Sequence, residues 1–268
     1  MRFDRLSPAL GAEVLDLDLG APDQLRAALW EHHLLLVRGR ELSDEEHLAF
    51  AGTFGPIASE RSGPIGIVSN VRPDGVLGSD RATWHSDYMF FPRPYEAISL
   101  YGLDIPDGGT QTSYVNGVLA ARTLPDDLRG RLAGLQSRAV AALGGSLSDG
   151  IRYRTGRCDG IDPHQVRPVL WPHHATGDEI VAAWHQQTDA LLPLDQDESV
   201  ALLDELFAHL YAPEHTYVHE WQPHDLVLWD NHALQHSRPD VGVERPRSLR
   251  RVCVGEDQDL SVFARRAM

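Results

Sequence analysis

Apolar and polar positions change period several times along the 268 residues, and the changes divide the chain into short strands and a few helices. Residues 3–20 read as short strands around a glycine turn, Arg2-Phe3-Asp4-Arg5 and then Ala12-Glu13-Val14-Leu15-Asp16-Leu17. Pro22 stands where the first turn of a helix tolerates it, and Leu25, Ala28, Leu29 and His32 continue one helical face. Leu34-Leu35-Leu36-Val37-Arg38-Gly39 is a short apolar run closed by glycine, which predicts a buried strand. Ser43-Asp44-Glu45-Glu46 has the form of a capping box. The helix it opens carries Leu48, Ala51 and Phe54 inward, and Gly55-Pro56 ends it.

Residues 59–83 are rich in Gly, Pro, Ser and Asp, with one strand-like piece, Ile65-Gly66-Ile67-Val68. Arg72 to Ala82 reads as a mobile loop in the place of a lid. Ala97 to Gly102 is a strand, Pro106-Asp107-Gly108-Gly109 a turn, and Thr110 to Tyr114 another strand. Pro125 opens a helix with Leu128, Leu132 and Leu135 on one side. The pattern is weakest over 141–195, where Leu143 to Gly160 reads as a loop excursion, Val166 to Trp171 as a strand and Trp171 to Gly177 as a turn. Asp197 to Leu210 is a helix, with Leu202, Leu203, Leu206 and Leu210 at helical spacing. Tyr217 to Trp221, Asp225 to Trp229 and Leu249 to Val254 return to strands. Strands gather at both ends with helices between, and no linker or repeat interrupts them. The expectation is one domain over 1–268, mainly β with appended helices, built as a barrel or double sheet.

Composition narrows the partners. A formal charge of −15 argues against nucleic acid or an anionic membrane surface. Cys158 and Cys253 are the two cysteines, so no disulfide framework is implied and a reducing cytoplasm fits. No apolar run reaches the length of a membrane span, and Met1-Arg2-Phe3-Asp4-Arg5 lacks the apolar core of a signal peptide. The expected partner is a small molecule, with a homo-oligomer left open.

The chemistry concentrates in two stretches. In Thr83-Trp84-His85-Ser86-Asp87-Tyr88, His85 and Asp87 are two apart and point the same way on an extended chain. Downstream lies Trp229-Asp230-Asn231-His232-Ala233-Leu234-Gln235-His236, followed by Arg247 and Arg251. Two histidines and a carboxylate on one face of an ion leave further positions open, the donor set of non-haem Fe(II) oxygenases. His232 with His236 offers a rival reading, a zinc hydrolase with both histidines on one helical face, but Ala233 stands where that motif needs Glu. His215, Tyr217 and His219 line one strand face without a carboxylate at ligand spacing and read as structural. Arg247, Leu249, Arg251 and Cys253 alternate, so they share one face of a strand. Two arginines pointing into a barrel need anions. A dicarboxylate cosubstrate supplies one in the bidentate geometry arginine favours, and a structural ion pair with Asp or Glu is the plain alternative. Arg245, Arg250, Arg265 and Arg266 read as solvated.

The chain resembles the taurine dioxygenase (TauD/TfdA) family of Fe(II)- and 2-oxoglutarate-dependent dioxygenases over almost its whole length. The residues that carry the resemblance are Leu6-Ser7-Pro8-Ala9-Leu10-Gly11-Ala12-Glu13-Val14, Leu36-Val37-Arg38-Gly39, Ala49-Phe50-Ala51-Gly52-Thr53-Phe54-Gly55-Pro56, Trp84-His85-Ser86-Asp87, Gly108-Gly109, Trp229-Asp230-Asn231, His236 and the arginine pair. The resemblance implies a double-stranded β-helix (jelly-roll) core. It implies His85, Asp87 and His236 as iron ligands and Arg247 on the distal carboxylate of 2-oxoglutarate. It also implies an assisting threonine, Thr112 or alternatively Thr110, and Arg251 near both cosubstrate and substrate. O2 is the second cosubstrate, succinate and CO2 are products, and hydroxylation of a small polar or acidic molecule is the implied outcome, with desaturation or ring closure as alternatives. A non-catalytic 2-oxoglutarate-binding protein is a third class. At two pocket positions the chain departs from taurine-specific members: Ala58, Ser59 and Glu60 stand where they place a His, and Arg81 where they place an Asn. Glu60 and Arg81 thereby become candidate substrate-binding residues, and their opposite charges suit a substrate carrying an acid and a cationic or hydrogen-bonding group.

Overall fold

Two sheets face each other across the inner core in the computed structural model, which describes residues 1–59, 63–79, 81–141, 164–242 and 244–259. The larger sheet runs Arg2–Arg5, Ala12–Leu15, Leu34–Val37, Leu226–Asp230, Ala97–Asp104, Ser248–Val254, Gly66–Ser69 and Val76–Leu77. The smaller runs Thr216–Glu220, Gln111–Asn116, Leu234–Arg238 and Ala82–His85. Pairing in both is antiparallel apart from two parallel contacts near the edges of the larger sheet. Strands from the two ends of the chain interleave, as at Leu226–Asp230, which pairs with both Leu34–Val37 and Ala97–Asp104. This is a mainly β, jelly-roll-like core with its helices outside.

Side-chain alternation explains the layers. Leu34 and Leu36 turn into the inner core with Ile98, Leu100, Tyr114, Val227, Trp229, Leu234 and Leu249. Leu35 and Val37 face the other way and pack with Leu226, Leu228 and Val252 beneath the helices Pro22–His32 and Asp44–Gly52. A strand covered on both faces reads as an unbroken apolar run, which is how Leu34–Val37 looks in the sequence. Each such leucine contributes about 1.5–3 kcal/mol on burial. A third cluster covers the outer face of the smaller sheet. There Val115 meets Leu202, Leu203, Leu206 and Leu210 of helix Gln196–Leu210 and Leu128 and Leu132 of helix Asp126–Leu132.

The capping box forms as expected: Ser43 Oγ accepts from the Glu46 amide at 3.1 Å and Glu46 Oε2 from the Ser43 amide at 2.9 Å. The buried face of that helix is His47, Phe50 and Ala51, with Leu48 half-buried. The helix after Pro125 ends at Leu132, because Gly134 takes a left-handed φ of 78° and the strand Gln136–Val140 follows. The expected strand over 166–171 is two, His164–Pro168 and Leu170–Pro172. Glu179–Val181 and Thr188–Leu192 are further strands within the weakly patterned region. Inside the expected loop over 72–82, Val76–Leu77 is a strand, and Val241 and Arg81 donate from their backbones to Ser79 O and Asp240 Oδ1. The excursion read over 143–160, with Cys158, and the terminal Arg265 and Arg266 lie outside the described residues. No described helix is long and apolar enough to cross a membrane.

Candidate active site

Strand pairing brings the two motif stretches together. His85 closes the strand Ala82–His85 and lies directly opposite His236. Their ring centroids are 4.2 Å apart. Asp87 follows in the turn, with Oδ1 3.6 Å from His85 Nε2. His85 Nδ1 lies 2.7 Å from the Thr83 carbonyl. A carbonyl only accepts, so Nδ1 carries the proton and Nε2 keeps its lone pair. One ligand atom from each of His85, Asp87 and His236 falls within 4.8 Å of the others, the set among the described residues that converges this way. His232 takes no part. It sits in the turn before Leu234–Arg238, with its ring stacked on Trp171 at 5.3 Å.

Electrostatics keep these groups in their ligating forms. Burial lowers the pKa of His85, and lowers that of His236 to about 3 with help from the Arg251 guanidinium. Both imidazoles are therefore neutral. For Asp87 burial opposes ionisation, but the Arg251 guanidinium beside it outweighs that and holds the carboxyl below its usual range. Arg251 donates to Asp87 Oδ2 at 2.9 Å and lies over the Tyr88 ring. One carboxylate oxygen thus faces the histidines and the other is bound to a guanidinium. The backbone around the triad is held as well. Ser86 Oγ donates to Leu234 O, Trp184 Nε1 donates to Ser86 Oγ, and Gln187 Nε2 donates to Ser86 O.

A cavity of about 580 Å³ opens from the triad. Arg247, Arg251 and Thr112 line it, and so do Arg238, Gln186 and Gln187, which sequence reasoning did not single out. Alternation could have found Arg238, two residues beyond His236 on the same strand. Arg247 is 2% exposed. Its guanidinium lies 5.9 Å from the Trp221 ring and 3.5 Å from Thr112 Oγ1, which accepts from Trp221 Nε1 at 2.9 Å. Thr110 stands outside the strand and accepts from the Trp221 amide through its carbonyl. Burial, then Arg238, lowers the Arg247 pKa to about 9. Among the polar atoms sealed from solvent without a hydrogen-bond partner are Arg247 Nε, Trp229 Nε1 and His236 Nδ1 of the cavity lining, and Tyr114 Oη behind it. Trp229 and Tyr114 pack on each other and on the His236 ring. Unsatisfied buried donors are rare, and an anion rich in acceptors fits the Arg247 guanidinium. The donor set of two neutral imidazoles and one carboxylate likewise fits a divalent first-row metal.

Other sequence candidates fall elsewhere. Arg81 is exposed just before the strand Ala82–His85 and is not among the residues lining the cavity. Glu60 lies outside the described residues. Arg250, expected to be solvated, is 4% exposed. It points to the opposite face from Arg251 and donates to Asp44, to His47 Nδ1 and to the carbonyls of Leu42 and Ser43. Arg245 donates to the Gly109 carbonyl at the surface. His219, read as structural, lies 3.2 Å from the buried Asp225.

Fold and site together define a 2-oxoglutarate-dependent dioxygenase acting on a small molecule. The chain belongs to the taurine catabolism dioxygenase TauD, TfdA family, whose model matches residues 2–253. It is 30% identical over 266 residues to pentalenolactone F synthase of Streptomyces arenae, covering 90% of this chain and 89% of that protein. It is 31% identical over 245 residues to (S)-phenoxypropionate/alpha-ketoglutarate-dioxygenase of Sphingobium herbicidovorans, covering 84% and 83%. Among solved structures, a taurine dioxygenase from Burkholderia xenovorans matches with a TM-score of 0.78 at 25% identity, covering 94% of this chain and 90% of that one.

Proposed function

We propose that His85, Asp87 and His236 hold Fe(II) and that Arg247, assisted by Thr112, holds the distal carboxylate of 2-oxoglutarate. The observation that carries this reading is the convergence of the triad and a deeply buried arginine on one cavity. Bound there, Fe(II) with 2-oxoglutarate and O2 supplies an oxidant able to take hydrogen from a C–H bond, with succinate and CO2 released. The protein's own residues bind, orient and exclude water. Thr83 fixes the His85 ring, Arg251 fixes the outer oxygen of Asp87, and the buried Arg247 sets the direction in which the cosubstrate lies.

The substrate we infer has an apolar body and an acidic group. Ile65, Ile67, Val76, Leu77 and Phe90 form walls of the cavity, and Arg251 is the cation beside the triad. This moves the emphasis from the polar substrate that Glu60 and Arg81 suggested. Relatives named for phenoxypropionate and 2,4-dichlorophenoxyacetate combine an aryl group with a carboxylate. Hydroxylation is the first reading. The likeness to a protein named pentalenolactone F synthase supports a second, in which the substrate leaves with a new ring or double bond.

The test is anaerobic addition of Fe(II) and 2-oxoglutarate, followed by succinate release across arylalkanoic acids and their amides and esters. A weak visible charge-transfer band is expected, absent in His85→Ala and His236→Ala. Tight zinc binding with hydrolysis and no band would overturn the iron reading. Equal turnover of neutral esters would remove the acid from the substrate. Products with an added oxygen separate hydroxylation from loss of two hydrogens.

A further inference from the structure

We propose that Asn231 is a positioning residue that fixes the carboxylate ligand relative to the two histidines; the inference rests on the iron reading above. His85 and His236 sit opposite each other in a strand ladder. Asp87 lies past the end of that ladder, in a turn, where no strand partner holds its backbone. Asn231 takes over that task. The Asp87 amide donates to Asn231 Oδ1 at 2.8 Å, and Asn231 Nδ2 donates to Asp87 O and to Tyr95 O, both at 2.9 Å. A primary amide has one acceptor oxygen and two N–H donors. The single N–H faces the oxygen and the two carbonyls face the nitrogen, so the orientation is set by chemistry rather than by choice of a flip. Asn231 is fully buried, so no water competes for these bonds.

What lies on either side of the clamp makes it stiff. Immediately after Asp87, Tyr88 takes a left-handed φ of 59°, a conformation that costs a non-glycine residue about 1–3 kcal/mol and persists only where neighbours impose it. On the other side, Asp230 Oδ1 accepts from the amides of His232 and Ala233, at 3.0 and 3.1 Å, and closes the turn that leads into the His236 strand. His173 Nε2 and His33 Nδ1 stand 2.8 and 3.4 Å from Asp230 Oδ2. Asn231 itself donates from its backbone to Glu96 O at 2.9 Å. One side chain therefore joins the segment bearing His85 and Asp87 to the segment bearing His236. Arg251 orients the carboxylate, and Asn231 places the backbone from which it projects.

The experiment measures anaerobic Fe(II) affinity and thermal stability in the full chain for wild type, Asn231→Ala, Asn231→Asp and a control, Leu206→Ala, which empties a buried site in helix Gln196–Leu210 away from the cavity. Asn231→Asp keeps the acceptor for the Asp87 amide but sets a second oxygen against two carbonyls. Both Asn231 variants should bind Fe(II) about 10–100-fold more weakly, the usual cost of losing a group that orients a ligand. Leu206→Ala should lose stability and keep wild-type iron affinity. Unchanged affinity in the Asn231 variants overturns the proposal, as does an equal loss in Leu206→Ala. If neither Asn231 variant folds, hydrogen exchange on metal-free wild type decides. The Asp87 amide should exchange slowly before iron is added, and exchange at the rate of an exposed loop amide refutes a preformed clamp. Failure of wild type to bind Fe(II) removes both readings, whereas wild-type binding with intact binding in Asn231→Ala removes only this one.

Discussion

Replacing Arg247 by methionine should make the empty protein more stable and abolish most of the stabilisation that the cosubstrate gives. The arginine is 2% exposed, and among the described residues no carboxylate forms an ion pair with it. Burial, with Arg238 beside it, takes its pKa from 12.5 to about 9. That displacement corresponds to on the order of 5 kcal/mol held against folding. The sign follows from linkage. Below about pH 9 the group is protonated both folded and unfolded, so the whole penalty stands at neutral pH and does not vary there. Methionine keeps an unbranched apolar stem and removes the charge. The contacts with Thr112 and the Trp221 ring go with it, so the net gain should be about 1–3 kcal/mol, within the range for replacing buried charge by apolar groups. For a domain of this size that raises Tm by about 2–4 °C per kcal/mol. In wild type, 2-oxoglutarate at a hundred times its Kd should add about 2.7 kcal/mol, and in Arg247→Met it should add almost nothing. The assay is urea or thermal unfolding with Fe(II), anaerobically, with and without 2-oxoglutarate. An empty variant less stable than empty wild type would mean that Arg247 is already satisfied structurally. Equal stabilisation by 2-oxoglutarate in both proteins would place the distal carboxylate elsewhere.

Arg250, one residue away from Arg251, should behave in the opposite manner. Arg250→Leu leaves the buried His47 Nδ1 and Leu42 carbonyl without their donor and should cost about 1–3 kcal/mol for each in urea unfolding, with 2-oxoglutarate affinity of the folded variant unchanged; a selective loss of cosubstrate affinity would contradict this. Acid should destabilise the metal-free protein from about pH 6.5 downward, because burial lowers His47 and His236 to about 3 and His232 to about 4. The unfolded chain then binds protons that the folded one refuses, at up to about 1.4 kcal/mol per pH unit for each histidine. Flat stability between pH 6.5 and 4.5 would show that these rings are not held neutral.

Period-two patterning made the His85 and Asp87 pair and the arginine face readable in advance, since His85 and Asp87, and Arg247, Leu249, Arg251 and Cys253, are spaced by twos; His236 joined the pair only through the family resemblance. The strands Glu179–Val181 and Thr188–Leu192 were not readable. One is three residues long, and the other carries a register shift between Thr188 and Ala190, so neither sustains a period. Arg250 was misjudged because its partners lie 203 and 206 residues away in sequence, and no local pattern reports burial under a distant helix. Arg81 was read as a pocket residue because it stands where taurine-specific members place an Asn, yet it lies exposed just before the strand Ala82–His85 and off the cavity lining.

The strand Ser248–Val254 shows how much depends on register. Arg247, Leu249, Arg251 and Cys253 look inward, and Arg250 and Val252 look toward the helix Asp44–Gly52. A slip of one residue would exchange Arg250 with Arg251 and present every side chain to the wrong face. The pairing of Arg251 with Leu100 on one side and Gly66 on the other forbids that slip, because it would drive Leu249 out of the inner core. The two inward arginines then differ in what they already hold. Arg251 is bound to Asp87 Oδ2, and Arg247 has an unsatisfied Nε and no described carboxylate. On the proposed reading, an incoming dicarboxylate gains most at Arg247, while an acid on the substrate would meet Arg251 in competition with Asp87. Strand register, set by leucine packing, is what leaves the two inward arginines in these unequal states.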